Sequence, residues 1–395
     1  MTDARLRLGT RAVHGAAPEA ELGAGLEPAL VLSNAYHLGT ADDAAAAFRG
    51  EHDRPVYGRW KNPTVAHLER RLADLEDAEA AVATASGMAA VSGALLISLT
   101  AGDHVVAPLS CYGETSRLLR EYLPRFGIQT TFVDGSRITA YAQAVTERTR
   151  VLYAETPSNP MLKLCDVHGL SLFARQVGAR VICDNTFATP VHQRPLTLGA
   201  DIVVHSMTKA LGGHGDAIGG VMCGSAELMH QASELVVKGL GGVLAPFNAL
   251  LIARGLSTLA LRQRQASASA LELAEWLSTR AELARVYYPG LPDHPGHAIA
   301  ERQMDGYGAL LSFELRGGYE AARQLVERVR LFSHAVSLGD VRSLIVHPAS
   351  TTASTMPRIL RERADIGDGL VRLSIGIEDV GDLRRDLEAA LASVR

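Results

Sequence analysis

Residues 204–215 read VHSMTKALGGHG, and the rest of the chain is organised around them. An apolar, β-branched run (Ile202, Val203, Val204) ends in His205, Ser206 and Thr208, followed by Lys209 and a glycine cluster. Hydroxyls beside a lysine at a strand's end suit two tasks: holding a phosphate, and keeping an amine poised to attack a carbonyl. Burial disfavours the charged ammonium, and the neutral amine is the nucleophile. The same string also fits a solvated lysine in a flexible Gly-rich turn. The neighbouring segments have to decide.

Between about 100 and 225, short apolar strands at 105–107, 151–154, 181–183, 202–204 and 220–223 alternate with helical or irregular stretches. That alternation predicts a mainly parallel sheet with crossover helices. Polar residues follow the strands directly: Tyr112; Glu155 with Ser158 and Asn159; Asp184 with Asn185 and Thr186; then 206–209. Ligands of open α/β sheets bind at the carboxyl ends of the strands, so these loops converge on one crevice.

Upstream, Asn62 and Pro63 are placed to cap and start a helix that puts Val65, Leu68, Leu72 and Leu75 on one face. Tyr57 and Arg59 precede it, either as connector residues or as an anion clamp. Ser86 and Gly87 open a second helix whose free N–H groups form either a phosphate site or a plain cap. Residues 1–55 read as an irregular arm with one Ala-rich helical piece at 41–48, too poor in apolar periodicity to fold alone. The arm is expected to lie on another part of the protein or on a partner subunit.

Downstream, 239–255 looks like the passage into a second domain. A long amphipathic helix through 266–277, a strand (309–315), a helix (319–329), a loop of small residues (337–355), a strand (370–375) and a last helix (383–392) make an α+β unit. Three parts follow: an arm over 1–55, an α/β domain over 56–245 and a C-terminal domain over 246–395.

The chain has 395 residues, 47% hydrophobic and 21% charged, with a net charge of −4. It contains no basic block, which argues against nucleic acid as a partner. Cys111, Cys165, Cys183 and Cys223 are too widely spaced for a disulfide framework or a zinc knuckle. His294 and His297 lack a third ligand, so no metal site is expected. The chain shows neither a signal-like apolar start nor a run able to span a bilayer, so a cytoplasmic protein that makes no membrane contact is expected.

Taken in order, Tyr57-x-Arg59 with Asn62-Pro63-Thr64, 85–88 (ASGM), Tyr112-Gly113, 156–160 (TPSNP), 184–186 (DNT), Ser206-x-Thr208-Lys209, 337–339 (SLG) and 372–374 (RLS) resemble the Cys/Met-metabolism family of pyridoxal 5'-phosphate (PLP) enzymes. That family includes cystathionine γ-synthase, cystathionine and methionine γ-lyases and O-acylhomoserine sulfhydrylases. The resemblance implies the fold-type-I, aspartate-aminotransferase-like α/β architecture, with a mainly parallel seven-stranded sheet and a smaller α+β C-terminal domain. It also implies a homotetramer, a dimer of dimers with active sites shared across the dimer interface. Lys209 resembles the lysine that binds the cofactor covalently, and Asp184, supported by Thr186, the partner of its ring nitrogen. Ser86, Gly87, Met88, Ser206 and Thr208 would hold the phosphate, with Tyr57 and Arg59 reaching it from the neighbouring subunit. Tyr112 would stack on the ring, Asn159 would sit near the ring hydroxyl and substrate, and Arg372 with Ser337 would take the substrate carboxylate.

The activity implied is γ-elimination on an L-amino acid, with γ-replacement on O-acyl-L-homoserine as the alternative. Lys209 moves protons, and Tyr112 acts near the leaving group with a pKa lowered by cationic surroundings. His214-Gly215-Asp216 and 337–340 (SLGD) look like the lyases, whereas 342–344 (RSL) and 347–352 (HPASTT) look like the sulfhydrylases. Glu114 either reads a cationic distal group of the substrate or pairs with Arg342, and the cost of an unpaired buried carboxylate favours the pairing. Met207 and Trp60-Lys61 are expected near the entrance. An S-x-x-K serine hydrolase built on Ser206 and Lys209 is a remote alternative, since neither S-D-N nor K-T-G occurs.

Overall fold

The structure, a computed structural model, describes residues 6–15, 25–52, 54–354, 356, 359, 361 and 365–394. Parts of the expected arm (1–5, 16–24 and 53) and the end of the expected small-residue loop (355) lie outside these residues.

Seven strands form the larger sheet: β1 (Ala80–Thr84), β2 (His104–Pro108), β3 (Gln129–Val133), β4 (Thr149–Glu155), β5 (Arg180–Asp184), β6 (Ile202–Ser206) and β7 (Gly220–Gly224). Their order is β1-β7-β6-β5-β4-β2-β3. The run β6-β5-β4-β2-β3 is parallel, and β7 lies antiparallel to both β1 and β6. β4, β5 and β6 are buried almost throughout and carry apolar runs (VLYA, VIC and IVV), as strands covered by helices on both faces must. Two strands escape the sequence pattern. β1 (AAVAT) is poor in β-branched residues and is held by its pairing with β7, while β3 (QTTFV) is a half-exposed edge.

The helix Pro63–Glu76 follows the expected rules. Asn62 Oδ1 accepts from Thr64 N and Val65 N, and proline occupies the first turn. Leu68, Leu72 and Leu75 are at most 1% exposed against the sheet, each worth about 1.5–3 kcal/mol of burial. Asp77 ends the helix in the left-handed region at φ 59°. The arm contains a further helix, Leu8–His14, absent from the sequence reading. It is fastened to its own chain, with Arg11 on Asp74 at 3.1 Å and Asp77 at 2.7 Å. The Ala-rich helix Ala41–Phe48 forms behind a Thr40–Asp43 capping box.

The second sheet has the order β10-β11-β12-β9-β8, from β8 (Leu283–Tyr287), β9 (Leu310–Leu315), β10 (Ser333–His334), β11 (Leu344–Val346) and β12 (Leu370–Ser374). β11 falls where a loop was expected. The helix Leu259–Ser278 joins the two units: Leu259 and Ala260 pack into the large domain, while Leu273, Trp276 and Leu277 enter the core of the small one. All four cysteines are buried and free. Among the described residues, no helix is long and apolar enough to cross a membrane, and no His/Cys/Asp/Glu cluster could hold a metal.

Candidate active site

The carboxyl ends of β4, β5 and β6 deliver Glu155, Asp184 and Ser206 to one cavity of about 400 Å³. The helix starts at 86–88 and 112–115, the turn carrying Thr208 and Lys209, and Val336, Ser337, Leu338, Thr352 and Arg372 from the C-terminal unit complete it. Ser86, Gly87, Met88, Tyr112, Asn159, Asp184, Thr186, Ser206, Thr208, Lys209, Ser337 and Arg372, scattered over almost 290 positions of sequence, thus meet as the sequence indicated.

Lys209 is half-buried, and Nζ donates to Ser337 Oγ at 2.9 Å. Its pKa is lowered first by burial and then by the positive charge of Arg372. Arg372 is 4% exposed. Its Nη1 donates to Asn159 Oδ1 and its Nη2 to the Ser337 carbonyl, both at 2.8 Å. Burial pulls Arg372 down to about 10, and its partners are neutral. A buried guanidinium without a carboxylate partner is costly, and a planar anion entering the cavity would relieve it. Ser337, gripped by both cations, stands at φ 136°, where side chains other than glycine's rarely sit.

At the opposite end, Ser86 caps the helix Gly87–Leu96 by accepting from Ala89 N at 3.2 Å. Gly87 faces β6 so closely that an added Cβ would lie 2.7 Å from Ser206 Cβ. Only glycine lets the helix's free N–H groups stand next to the Ser206 and Thr208 hydroxyls, and this combination suits an anion. Between the two ends, Asp184 Oδ1 accepts from Thr186 N at 2.9 Å, and Thr186 Oγ1 accepts from Ser206 N at 2.9 Å. Burial raises the Asp184 pKa, which the Thr186 hydrogen bonds partly offset. A cation at the cavity base would restore its charge.

Several expectations change. Tyr112 has its pKa raised, not lowered, by burial and then by Glu114 and Glu155, so its hydroxyl stays a donor. Glu114 is exposed, does not line the cavity and pairs loosely with Arg117 at 3.9 Å, while Arg342 binds Asp340 at 3.0 Å. The expected Glu114–Arg342 pair does not form, and its premise, a buried carboxylate, does not hold. Met207 is fully buried behind β6 with Leu72, Leu244 and Ile252, away from any entrance. Lys209 engages Ser337, so Nζ is not directed at Ser206 as a serine hydrolase requires.

Arg59, Trp60 and Lys61 line a separate cavity of about 740 Å³, and Tyr57 lines neither cavity. There Arg59 donates to the Lys238 carbonyl, and Tyr57 stands edge-on to Trp60. Glu155 and Thr352 also line the cavity; the sequence signals them only through the position of Glu155 behind its strand and of Thr352 in the 347–352 string.

A family model described as Cys/Met metabolism PLP-dependent enzyme matches residues 9–392. Among curated relatives, an L-methionine gamma-lyase of Fusobacterium nucleatum subsp. polymorphum is 45% identical over 98% of each chain. An O-succinylhomoserine sulfhydrylase of Pseudomonas aeruginosa is 43% identical over 98% of this chain and 95% of that one. Among solved structures, the cystathionine gamma synthase of Xanthomonas oryzae pv. oryzae, in complex with aminoacrylate and cysteine, superposes with a TM-score of 0.93 at 39% identity over 98% of each chain.

Proposed function

This chain belongs to the Cys/Met-metabolism family of PLP-dependent enzymes, and from that premise we propose that it performs γ-elimination on an L-amino acid with an uncharged thioether side chain. The reaction consumes water and releases a thiol, a 2-oxo acid and ammonia. One observation carries the choice: Lys209 and Arg372 are the only lysine and arginine among the described residues lining the cavity, and Val336, Leu338, Phe187 and Met88 give its walls an apolar character. Arg372 is matched by the α-carboxylate, which leaves no further cation of this chain, among the described residues, for a second carboxylate on the side chain.

The residues present fit PLP. The 86–88 helix start, Ser206 and Thr208 form a cradle for its phosphate, Asp184 is a carboxylate in need of a cation, and Lys209 is an amine biased toward neutrality. When bound, the cofactor supplies an electron sink for negative charge at the substrate's Cα and Cβ. Arg372 and Asn159 hold the substrate by its carboxylate, with the Cα proton toward Lys209. Nζ, held by the Ser337 hydroxyl, accepts that proton and moves one from Cβ. Tyr112, kept protonated by its surroundings, donates to the departing sulfur.

The test is product analysis with L-methionine and with O-acetyl- and O-succinyl-L-homoserine, each with and without added thiol. Equal amounts of 2-oxo acid and ammonia from methionine are expected; a new thioether from the acyl substrates alone would overturn the reading. Tyr112→Phe should lower kcat for methionine by about 10²–10⁴-fold and spare substrates with a better leaving group. γ-Replacement is the second reading, favoured by Thr352 of the sulfhydrylase-like 347–352 string lining the cavity.

We also propose the homotetramer with shared sites. The phosphate cradle of one chain offers hydroxyls and N–H groups, while Arg59 lies in the other cavity, bonded to a neutral carbonyl it could exchange for an anion of a second copy. Arg59→Ala and Lys209→Ala chains, each inactive alone, should regain activity when mixed and refolded together. A mixture as inactive as its parents would count against sharing.

The amine makes a further prediction. In cofactor-free enzyme, the rate of reaction with PLP should follow a titration whose midpoint lies below the ordinary lysine value of 10.5, since the neutral form reacts. Arg372→Ala removes one of the two causes, so the midpoint should move upward. A midpoint at or above that of free lysine, or a downward move, would contradict the cause assigned.

A further inference from the structure

Glu155 is a buried carboxyl group that the chemistry above does not use. It ends β4, and in the parallel ladder it stands directly beside Asp184, which ends β5. It is 7% exposed and lines the cavity. Two carboxylates side by side in a buried site cannot both ionise cheaply. One of them needs its charge for the cofactor's ring. A glutamate is therefore an expensive choice here unless its position does something.

What it does is visible in its contacts. Glu155 Oε2 accepts from the backbone N–H of Tyr112 at 2.7 Å. That residue is the N-cap of the short helix Gly113–Arg117, and its own side chain makes no capping hydrogen bond. The backbone N–H of Asn159 also acts on the same carboxyl. Asn159 in turn takes Arg372 Nη1, Arg372 Nη2 holds the Ser337 carbonyl, and the Ser337 hydroxyl holds Lys209. A chain of contacts thus runs from the tyrosine's backbone to the lysine amine, and Glu155 is where the tyrosine loop joins it.

We propose that Glu155 is a positioning residue: its carboxyl pins the loops carrying Tyr112 and Asn159 to the end of β4, and so sets where the Tyr112 hydroxyl stands over the cavity. The role rests on the reading of Tyr112 as the proton donor. Tyr112 is 45% exposed at the cavity mouth, so little apart from its backbone fixes it. Burial and then the Asp184 charge push Glu155 well above the ordinary carboxylate range, while the Thr186 hydrogen bonds partly offset the rise at Asp184. A neutral side chain that keeps an acceptor oxygen at the same reach should therefore replace it.

The test compares Glu155→Gln, Glu155→Asp and Glu155→Ala. Hydrogen exchange of the Tyr112 amide in cofactor-free enzyme should speed up at least tenfold in the Ala and Asp variants, which lose the acceptor or its reach, and Gln should restore protection. In loaded enzyme, Ala and Asp should lower kcat by about 10- to 100-fold, as expected for a misplaced group, with KM changed less and the loss greatest for poor leaving groups. Gln should recover most of it. Asp settles the matter if Ala fails to fold. Unchanged amide exchange in both shortened variants would overturn the proposal, as would a Gln variant as impaired as Ala. The exchange arm does not depend on Tyr112 being the donor: if Tyr112→Phe proves silent while exchange responds, the chemical reading fails and the tether stands.

Discussion

A Lys209→Ala enzyme should lose turnover by on the order of 10⁴-fold or more, and the loss should be chemical, not structural. Nζ makes its hydrogen bond to Ser337 Oγ at the cavity wall, not within a packed core, so the thermal midpoint of the cofactor-free protein should barely move. Three properties should disappear together: the visible absorbance of the loaded protein, retention of cofactor after borohydride reduction and denaturation, and exchange of the substrate's Cα proton with solvent. Lys209→Arg should fare no better, because a guanidinium does not give up its proton in this pH range. PLP should still bind the alanine variant non-covalently, since the helix start at Gly87 and the Ser206 and Thr208 hydroxyls remain. Full turnover in the alanine variant, or reductive trapping of the cofactor on another lysine of the wild type, would remove the basis of the proposed function.

The larger sheet and its ligand-binding edge were legible because buried parallel strands are written as apolar runs with polar residues after them. β4, β5 and β6 are of this kind. β1 and β3 were not legible, because an Ala-rich strand and a polar edge strand owe their conformation to a partner distant in sequence. β11 was hidden for a similar reason: three residues, Leu344–Val346, pair with β12 only once the domain has formed. At the site, residue identities could be read and electrostatics could not. The sign of the Tyr112 shift depends on Glu155 and Glu114, which are 43 and 2 positions away in sequence. Glu114 had been assigned a partner by the premise of burial, and a side chain in solvent needs none. Met207, the residue after β6, continues that strand's alternation with Val203 into an apolar cluster, away from the entrance expected for it.

His205, quoted at the outset as part of the central string, should prove costly to remove from the core. Its Nε2 meets Glu76 Oε1 at 2.6 Å, with His205 1% and Glu76 0% exposed. The same oxygen accepts from Asn185 Nδ2 at 3.1 Å, and Asn185 and Gln193 bond to each other, with Gln193 joined to Gln303 of the C-terminal unit. Replacing His205 by leucine leaves the Glu76 carboxylate with only the Asn185 amide in a packed interior and should cost about 3–5 kcal/mol, the usual penalty for breaking a buried pair by one member. Replacing both, Glu76→Leu with His205→Leu, should recover most of that loss, because two apolar side chains of similar size need no partner. The urea midpoint of the cofactor-free enzyme measures all three variants on one scale. His205 and Asn185 immediately flank Ser206 and Asp184, so the single variant should also bind cofactor more weakly than the double one. A single variant within about 1 kcal/mol of wild type, or a double variant no better than the single, would mean that the pair does not hold these two strand ends.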